Sequence, residues 1–379
     1  MTPGPAAQTV SDIPEFVTIE GQKWTVCRAW PASRGRIALE AQHGSAIRSG
    51  FLSNGRVDML EEGRDSKLPG LERLLGTAGN RVVSHRPGKR AVIRLADGRF
   101  AKCVRSSKAD GIVAGQDRAE AFRNGFALPT VLTADDSTVV LSALPGVELH
   151  DPQRLGADWS RAWAEALDAW ALAASTTDTT TETDMTAGAD TSAATNTIAA
   201  AMPSMPVHSA SSEVQVLNEW RDRARVHLGE KLAEVDALIT QVSADLLSDG
   251  ASLADGNNSS AGERNWGPIH RDLHDKQVMW DPVAGPGLLD VDTACLGERE
   301  LDLGNLRAHA QWRSHQGIWT QDDAEVVIGE ISRITSASGL DPDRVRTYER
   351  SALVRLACVY AFRPRWAPHT GVLLEAAHE

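Results

Sequence analysis

The alternation of apolar and polar positions divides the chain into a strand-rich beginning and a mostly helical remainder. Period-two stretches such as Lys23-Trp-Thr-Val-Cys-Arg-Ala-Trp30 and Arg36-Ile-Ala-Leu-Glu40 predict strands, with a short helix near Pro69–Leu75. Residues 1–80 are therefore read as a small α+β unit. Three further alternating runs follow: Arg81-Val-Val-Ser-His85, Ala91-Val-Ile-Arg-Leu95 and Arg99-Phe-Ala-Lys-Cys-Val104. The turns between them are RPGKR and Asp97-Gly98, and Asp-Gly suits a tight hairpin because both turn positions take positive φ. Three antiparallel strands are expected, then a helix over Gly111–Gly125 and a strand over Ser137–Ser142. That strand runs into Ala-Leu-Pro-Gly, a pivot between an N-lobe at 81–143 and a helical C-lobe at 144–379.

Within the second lobe, Trp159, Trp163, Leu167 and Trp170 recur at helical spacing between Asp158 and Ala174, the pattern of a packing stripe. Residues 175–212 change character: Thr, Ala, Ser and Asp with few large apolar side chains predict a disordered low-complexity insertion. Glu213–Leu247 resumes as one long amphipathic helix or two, and a second polar loop follows it. Leu301–His309 and Pro342–Phe362 also read as helices.

Composition narrows the function classes. At 379 residues, with 42% hydrophobic and 24% charged content, the chain has the makeup of a globular protein of two or three domains. A formal charge of -12 argues against a general nucleic-acid or anionic-membrane binder, although local basic clusters remain compatible with it. Four cysteines without CxxC spacing suggest neither a zinc site nor a disulfide framework, and no secretory or membrane-spanning segment is evident. A reducing cytoplasm is the expected setting.

Chemistry concentrates in Ile269–Asp281, IHRDLHDKQVMWD. A metal cluster of His270, Asp272, His274 and Asp275 is one reading, but no further ligands at suitable places are evident downstream. Phosphoryl transfer is the other. It requires cations on the phosphates, carboxylates for magnesium and a carboxylate to orient and deprotonate the acceptor. His270-Arg271-Asp272-Leu273 fits the H-R-D-L-x-x-x-N pattern of kinase catalytic loops, with Gln277 in the Asn position. Leu288-Leu-Asp290-Val-Asp292 supplies two carboxylates expected on one side of a strand. The cation is Lys102, in the middle of an otherwise apolar strand, with Glu120 on the next helix as its expected partner. Arg86, Lys89 and Arg90 in the RPGKR turn are further phosphate contacts or an ordinary basic turn. His85, His309 and His315 read as solvated or capping residues, Cys103 as core filler, and Trp312, Trp319 and Trp366 as packing or an acceptor-pocket lining.

From about residue 80 onward the chain resembles the aminoglycoside phosphotransferase/choline kinase group of small-molecule kinases. The most specific stretch is LLDVDTACLGERELDLGNLRAH, Leu288–His309. The resemblance implies a bilobal protein-kinase-like α+β fold with an antiparallel-sheet N-lobe, a mostly helical C-lobe and an extra N-terminal unit. It implies ATP and Mg2+ as cofactors and a hydroxyl on a small polar metabolite or amino sugar as acceptor. Asp272 would be the catalytic base, Asp290 a magnesium ligand and Asp302 a brace for the catalytic loop. Lys102 would contact the α- and β-phosphates beside Glu120. Ala143, Leu144 and Val147 would belong to the hinge that meets adenine.

Two departures qualify the resemblance. Gln277 replaces the metal-binding Asn, with Asp275 or Asp292 available to compensate, and RPGKR lacks a GxGxxG. The first leaves a catalytically silent nucleotide-binding protein of the same fold as the alternative.

Overall fold

The computed structural model describes residues 13–174, 205–248 and 265–379. Most of the expected insertion, 175–204, and the polar loop 249–264 lie outside the described residues, as do residues 1–12. Residues 205–212, assigned to the same insertion from sequence, instead form a short strand and the start of a helix capped by Ser209.

The chain opens with a five-stranded antiparallel meander in sequence order: β1 (Phe16–Ile19), β2 (Gln22–Pro31), β3 (Ile37–His43), β4 (Ala46–Ser53) and β5 (Arg56–Met59). Its last hairpin turns through Asn54 and Gly55, both at positive φ (49° and 76°), the geometry a two-residue turn demands. Helix α1 (Pro69–Leu75) follows, but it does not complete this sheet. Leu68 and Leu71 pack with Ala91, Ile93, Ala101 and Cys103, so the helix covers the next sheet. The first unit is a sheet that shares a continuous apolar cluster with C-terminal helices: Trp24, Val26 and Leu39 belong to the same core as Leu217, Leu353 and Phe362.

The second sheet has the order β6 (Arg81–Arg86), β7 (Arg90–Arg94), β8 (Phe100–Val104), β10 (Thr138–Leu141), β9 (Val131–Ala134). Lys102 sits in mid-strand, opposite Val92 on one side and Val139 on the other. The alternation puts Cys103 on the reverse face, fully buried under α1. Buried Glu40 of β3 joins the two sheets by accepting the His85 N–H at 2.6 Å and the Ser84 hydroxyl at 3.1 Å.

Helix α2 (Ala109–Arg118) tightens into a 3₁₀ stretch over Ala119–Asn124. The C-lobe then contains α3 (Trp159–Ala174), α4 (Ala210–Leu228), α5 (Leu232–Ser248), α6 (Glu300–His315), α7 (Gln321–Ala337), α8 (Pro342–Tyr360) and α9 (Thr370–His378). Trp159, Trp163, Leu167 and Trp170 of α3 are all buried, and Trp312 and Trp319 are packed rather than lining an acceptor pocket. Two small sheets carry the chemistry-bearing loops: β11 (Val147–Glu148), β14 (Val278–Asp281) and β15 (Gly285–Leu288) form one, and β12 (Val207–His208), β16 (Cys295–Glu298) and β13 (Trp266–Ile269) the other. The result is a bilobal α+β architecture with an added N-terminal sheet.

Candidate active site

A cavity of about 680 Å³ lies between the lobes, lined on one side by β7, β8 and α2 and on the other by Gln277, Met279, Leu289 and Asp290. Ala143 and Leu144 form part of its wall; Val147 lies just beyond, paired with Trp280 across β11 and β14. At its polar end, Lys102 Nζ lies 2.7 Å from Asp290 Oδ1 and 2.7 Å from Asp292 Oδ2. Burial disfavours every charge here, but the mutual attraction prevails. The two carboxylates raise the Lys102 ammonium above its ordinary value, and Lys102 with Arg90 brings Asp290 down to about 2. Lys102 and Asp290 are therefore both charged at neutral pH.

The two carboxylates are not on a strand. β15 ends at Leu288, Asp290 takes a left-handed φ of 54°, and Asp292 lies in a 3₁₀ turn over Val291–Thr293. The left-handed residue redirects the chain so that both carboxylates still reach the same ammonium. Such a conformation is costly for a non-glycine residue and is held here by its surroundings. Gly115 of α2 allows the turn to approach: a Cβ there would stand 2.7 Å from Asp292 Cα.

The Glu120 expectation fails. Glu120 is exposed and pairs with Arg123 at 2.6 Å. It falls in the 3₁₀ stretch, whose tighter winding removes it from the face of α2 that Gln116 presents to the cavity. The lysine's partners are instead Asp290 and Asp292.

The His270–Asp272 loop is fixed from below. Fully buried Asp302, in the first turn of α6, accepts the N–H groups of His270 and Arg271, each at 2.8 Å, and the Trp170 indole at 3.2 Å. Arg271, at φ 71°, is thereby held in a left-handed conformation. His270 Nε2 bonds the Leu289 carbonyl at 2.8 Å, and Thr293 donates to the His270 carbonyl at 2.9 Å. The loop and the Asp290 turn are thus tied together directly. Asp272, about half exposed, stands outside the lining of the 680 Å³ cavity, with Arg355 of α8 at 3.8 Å from its Oδ1. Asn305 secures the loop's far end by donating to the Leu273 carbonyl at 2.7 Å.

Three further groups behave differently from expectation. Asp275 is fully buried and held as a carboxylate by Arg313, whose guanidinium grips it at 2.9 and 3.0 Å, with His150 hydrogen-bonded as well. Burial alone would raise its pKa, but Arg313 keeps it well below the carboxylate range. It therefore braces α6 against the loop and is unavailable to compensate for Gln277. His309 is buried, stacked on His274 at 4.6 Å, rather than solvated. His85 is likewise buried, bridging Ser49 at 2.7 Å and Asp65 at 3.1 Å. His274, Asp275 and His309 come close enough to be compared with a metal triad, but Arg313 already places a guanidinium charge on the only carboxylate. Gln277 lines the cavity, and its Nε2 lies 3.4 Å from His274 Nε2.

The Asp290–Asp292 pair fits a hard divalent cation. Its donors are all oxygen, Asp290 is ionised, and Asp292 Oδ1 is buried with no hydrogen-bond partner among the described residues. Arg28 also reaches the cavity from β2 of the N-terminal sheet, held by Glu40 at 3.0 Å and by Ser84 at 3.2 Å. Nothing in the local sequence around Arg28 indicated that role.

Comparison with known proteins establishes the family. The profile of the phosphotransferase enzyme family matches residues 126–326, and the chain belongs to that family. The fold is similar to that of choline kinase from Cryptosporidium parvum, at 9% identity and a TM-score of 0.50 over 82% of this chain and 92% of that one. An aminoglycoside phosphotransferase from Streptomyces rimosus is 20% identical, with a TM-score of 0.49 over 77% of this chain and 97% of its own. A choline/ethanolamine kinase family protein from Mesorhizobium loti is 14% identical, with a TM-score of 0.46 over 83% and 93%. No curated protein sequence matches the chain. No helix among the described residues is long and apolar enough to cross a membrane.

Proposed function

We propose that the protein transfers the γ-phosphoryl group of ATP to a hydroxyl of a small polar molecule, a metabolite or an amino sugar. The observation that carries this reading is the convergence of Lys102, Asp290 and Asp292 within 2.7 Å contacts at the end of an interlobe cavity. Beside them stands a catalytic-type loop stitched to the same turn.

Adenine would lie against Ala143, Leu144 and the hinge that ends at Val147. Lys102 would meet the α- and β-phosphates, with Arg86, Lys89 and Arg90 from the RPGKR turn reaching the same cavity. Asp290 and Asp292 would hold magnesium, with Gln277 contributing its amide oxygen, since only its Nε2 faces His274. When bound, the ion neutralises charge on the phosphate oxygens. Asp272 accepts the proton of the acceptor hydroxyl as the oxygen attacks the γ-phosphorus; the bond from that phosphorus to the bridging oxygen breaks, and ADP leaves. Its position outside the nucleotide cavity suits a base that faces the acceptor. Arg355, 3.8 Å from Asp272 Oδ1, leaves the carboxylate room to meet an acceptor hydroxyl.

The test is ADP release with ATP, magnesium and a panel of hydroxylated acceptors, for the wild type and Asp272→Asn. The expected result is turnover that the substitution lowers by about 10²–10⁴-fold, with nucleotide binding retained. Equal loss of binding and turnover contradicts the assignment. The second reading, a silent nucleotide binder, is favoured by Gln277 in the position where such loops carry Asn; it predicts nucleotide binding without turnover on any acceptor.

A further inference from the structure

On the opposite side of the RPGKR turn lies a second cavity of about 670 Å³. Six cations reach it: Arg36, Lys67, Arg86, Lys89, Arg105 and Arg223. None of its lining residues is a carboxylate, in a chain whose formal charge is -12. The cations come from separate segments: the loop leading into β3, the linker before α1, the RPGKR turn, the end of β8 and α4 of the C-lobe. They are therefore not one solvated helix face. Among the described residues, only Arg223 of the six has a carboxylate partner, Glu219 at 2.8 Å.

Three of the guanidiniums lie over aromatic rings, Arg86 among them at 5.4 Å from the centre of the Trp30 ring. Arg36 lies 4.4 Å from the centre of the Phe51 ring, and Arg223 5.4 Å from that of Trp220. An aromatic ring beneath a guanidinium restricts its position; Arg36 spends only its Nε, on the Ser33 carbonyl at 3.5 Å, and Arg223 one terminal nitrogen, on Glu219, so N–H groups remain on each for an oxyanion. Arg105 Nε donates to the Gly88 carbonyl at 2.6 Å, and Asp65 accepts the Gly88 N–H at 2.5 Å, which holds the turn between the two cavities. Burial and the neighbouring Arg90 and Arg223 bring Arg86 down to about 10, and burial with Arg105, Arg86 and Lys67 lowers Lys89 as well. Uncompensated like charge is thus present in the folded chain, and an anion would relieve it.

We infer that this cavity is a second anion site, distinct from the nucleotide cleft, for a small molecule bearing two or more linked phosphates. Its volume suits a ligand of nucleotide or oligophosphate size, and its charge count exceeds what a single phosphate can engage. Because Arg86 and Lys89 line both cavities, an occupant here draws on the same side chains as the nucleotide, so the two ligands alter each other's affinity reciprocally. The coupling rests on the kinase reading; the anion site does not.

The experiment is calorimetric titration of tripolyphosphate at fixed ionic strength, with and without a saturating non-hydrolysable ATP analogue and magnesium. Wild type is compared with the double variant Lys67→Ala/Arg223→Ala. Both residues are exposed and outside the lining of the nucleotide cleft, and unchanged thermal unfolding controls for folding. The expected result is tripolyphosphate binding that persists with the analogue bound, falls at least about tenfold in the double variant, and far exceeds that of inorganic phosphate. Failure of tripolyphosphate to bind the wild type overturns the inference, as does binding that the double variant leaves intact. If the analogue itself does not bind, the kinase reading fails, while the variant comparison still decides the anion site.

Discussion

Lys102 and Asp290 are separated by 188 positions in sequence, yet their charged atoms meet at 2.7 Å. Asp292 makes the same contact, so one ammonium bridges two partly buried carboxylates. Replacing Lys102 with Met leaves those carboxylates facing each other with only Arg90, 4.0 Å from Asp290, as a nearby counter-charge. Lys102→Met is expected to lower the unfolding temperature and to cut phosphoryl transfer at least about a hundredfold. Magnesium alone is expected to raise the variant's unfolding temperature more than that of the wild type, because a cation that binds only the folded state adds stability by mass action. Thermal scans with and without magnesium check this; an equal response in both proteins contradicts it.

Asp302 accepts three buried N–H groups and carries the Asp272 loop. An amide at that position turns a donor towards donors. Asp302→Asn is expected to destabilise the chain by about 2–4 kcal/mol, in line with one or two lost charge-assisted bonds. It should lower kcat more than it weakens nucleotide binding, since the interlobe cavity proposed for the nucleotide does not contain Asp272. Urea unfolding combined with nucleotide titration measures both effects.

Gly115→Ala tests how closely α2 approaches the metal-type turn. Helix propensity alone favours alanine by about 1 kcal/mol, but the new methyl group would press on Asp292 Cα at 2.7 Å. Weaker magnesium-dependent nucleotide binding is expected despite the better helix former. Unchanged binding shows that the turn can yield.

Glu213 governs one acid-sensitive part of the C-lobe. It is buried and bonded to His208 at 2.9 Å and to Ser351 at 2.9 Å, with Arg355 nearby. Burial raises its pKa, but the His208 bond and the Arg355 charge outweigh that and bring it below the ordinary 4.5. A depressed carboxylate stabilises the fold above its unfolded pKa and loses that contribution as pH falls through the folded value. The stability gap between wild type and Glu213→Gln is therefore expected to be full above about pH 5 and to narrow below the unfolded pKa of 4.5. Denaturant unfolding at several pH values checks the sign; a gap that widens on acidification contradicts it.

The legibility of these features in the sequence follows their range. Lys102 in an alternating strand and the His-Arg-Asp loop were readable because each is a local pattern with a chemical reason. Glu120 misled because spacing alone does not show where an α-helix tightens to 3₁₀, which here happens at Ala119. The grip of Arg313 and His150 on Asp275 joins positions 38 and 125 residues apart, and no local periodicity encodes such a meeting. Helix α1 was assigned to the first unit by proximity in sequence, whereas Leu68 and Leu71 bury themselves in the second. The basic cavity was invisible for the same reason: its six cations come from separate segments.

The central claim is that Asp290 holds a divalent ion against a nucleotide in the interlobe cavity. Calorimetric titration of a non-hydrolysable ATP analogue, with magnesium and with chelator, into wild type and Asp290→Asn tests it most directly. The account predicts tighter binding with magnesium for the wild type and loss of most of that difference in the variant, with metal-free binding retained. A magnesium dependence that survives unchanged in Asp290→Asn, or wild-type binding indifferent to magnesium, would contradict it.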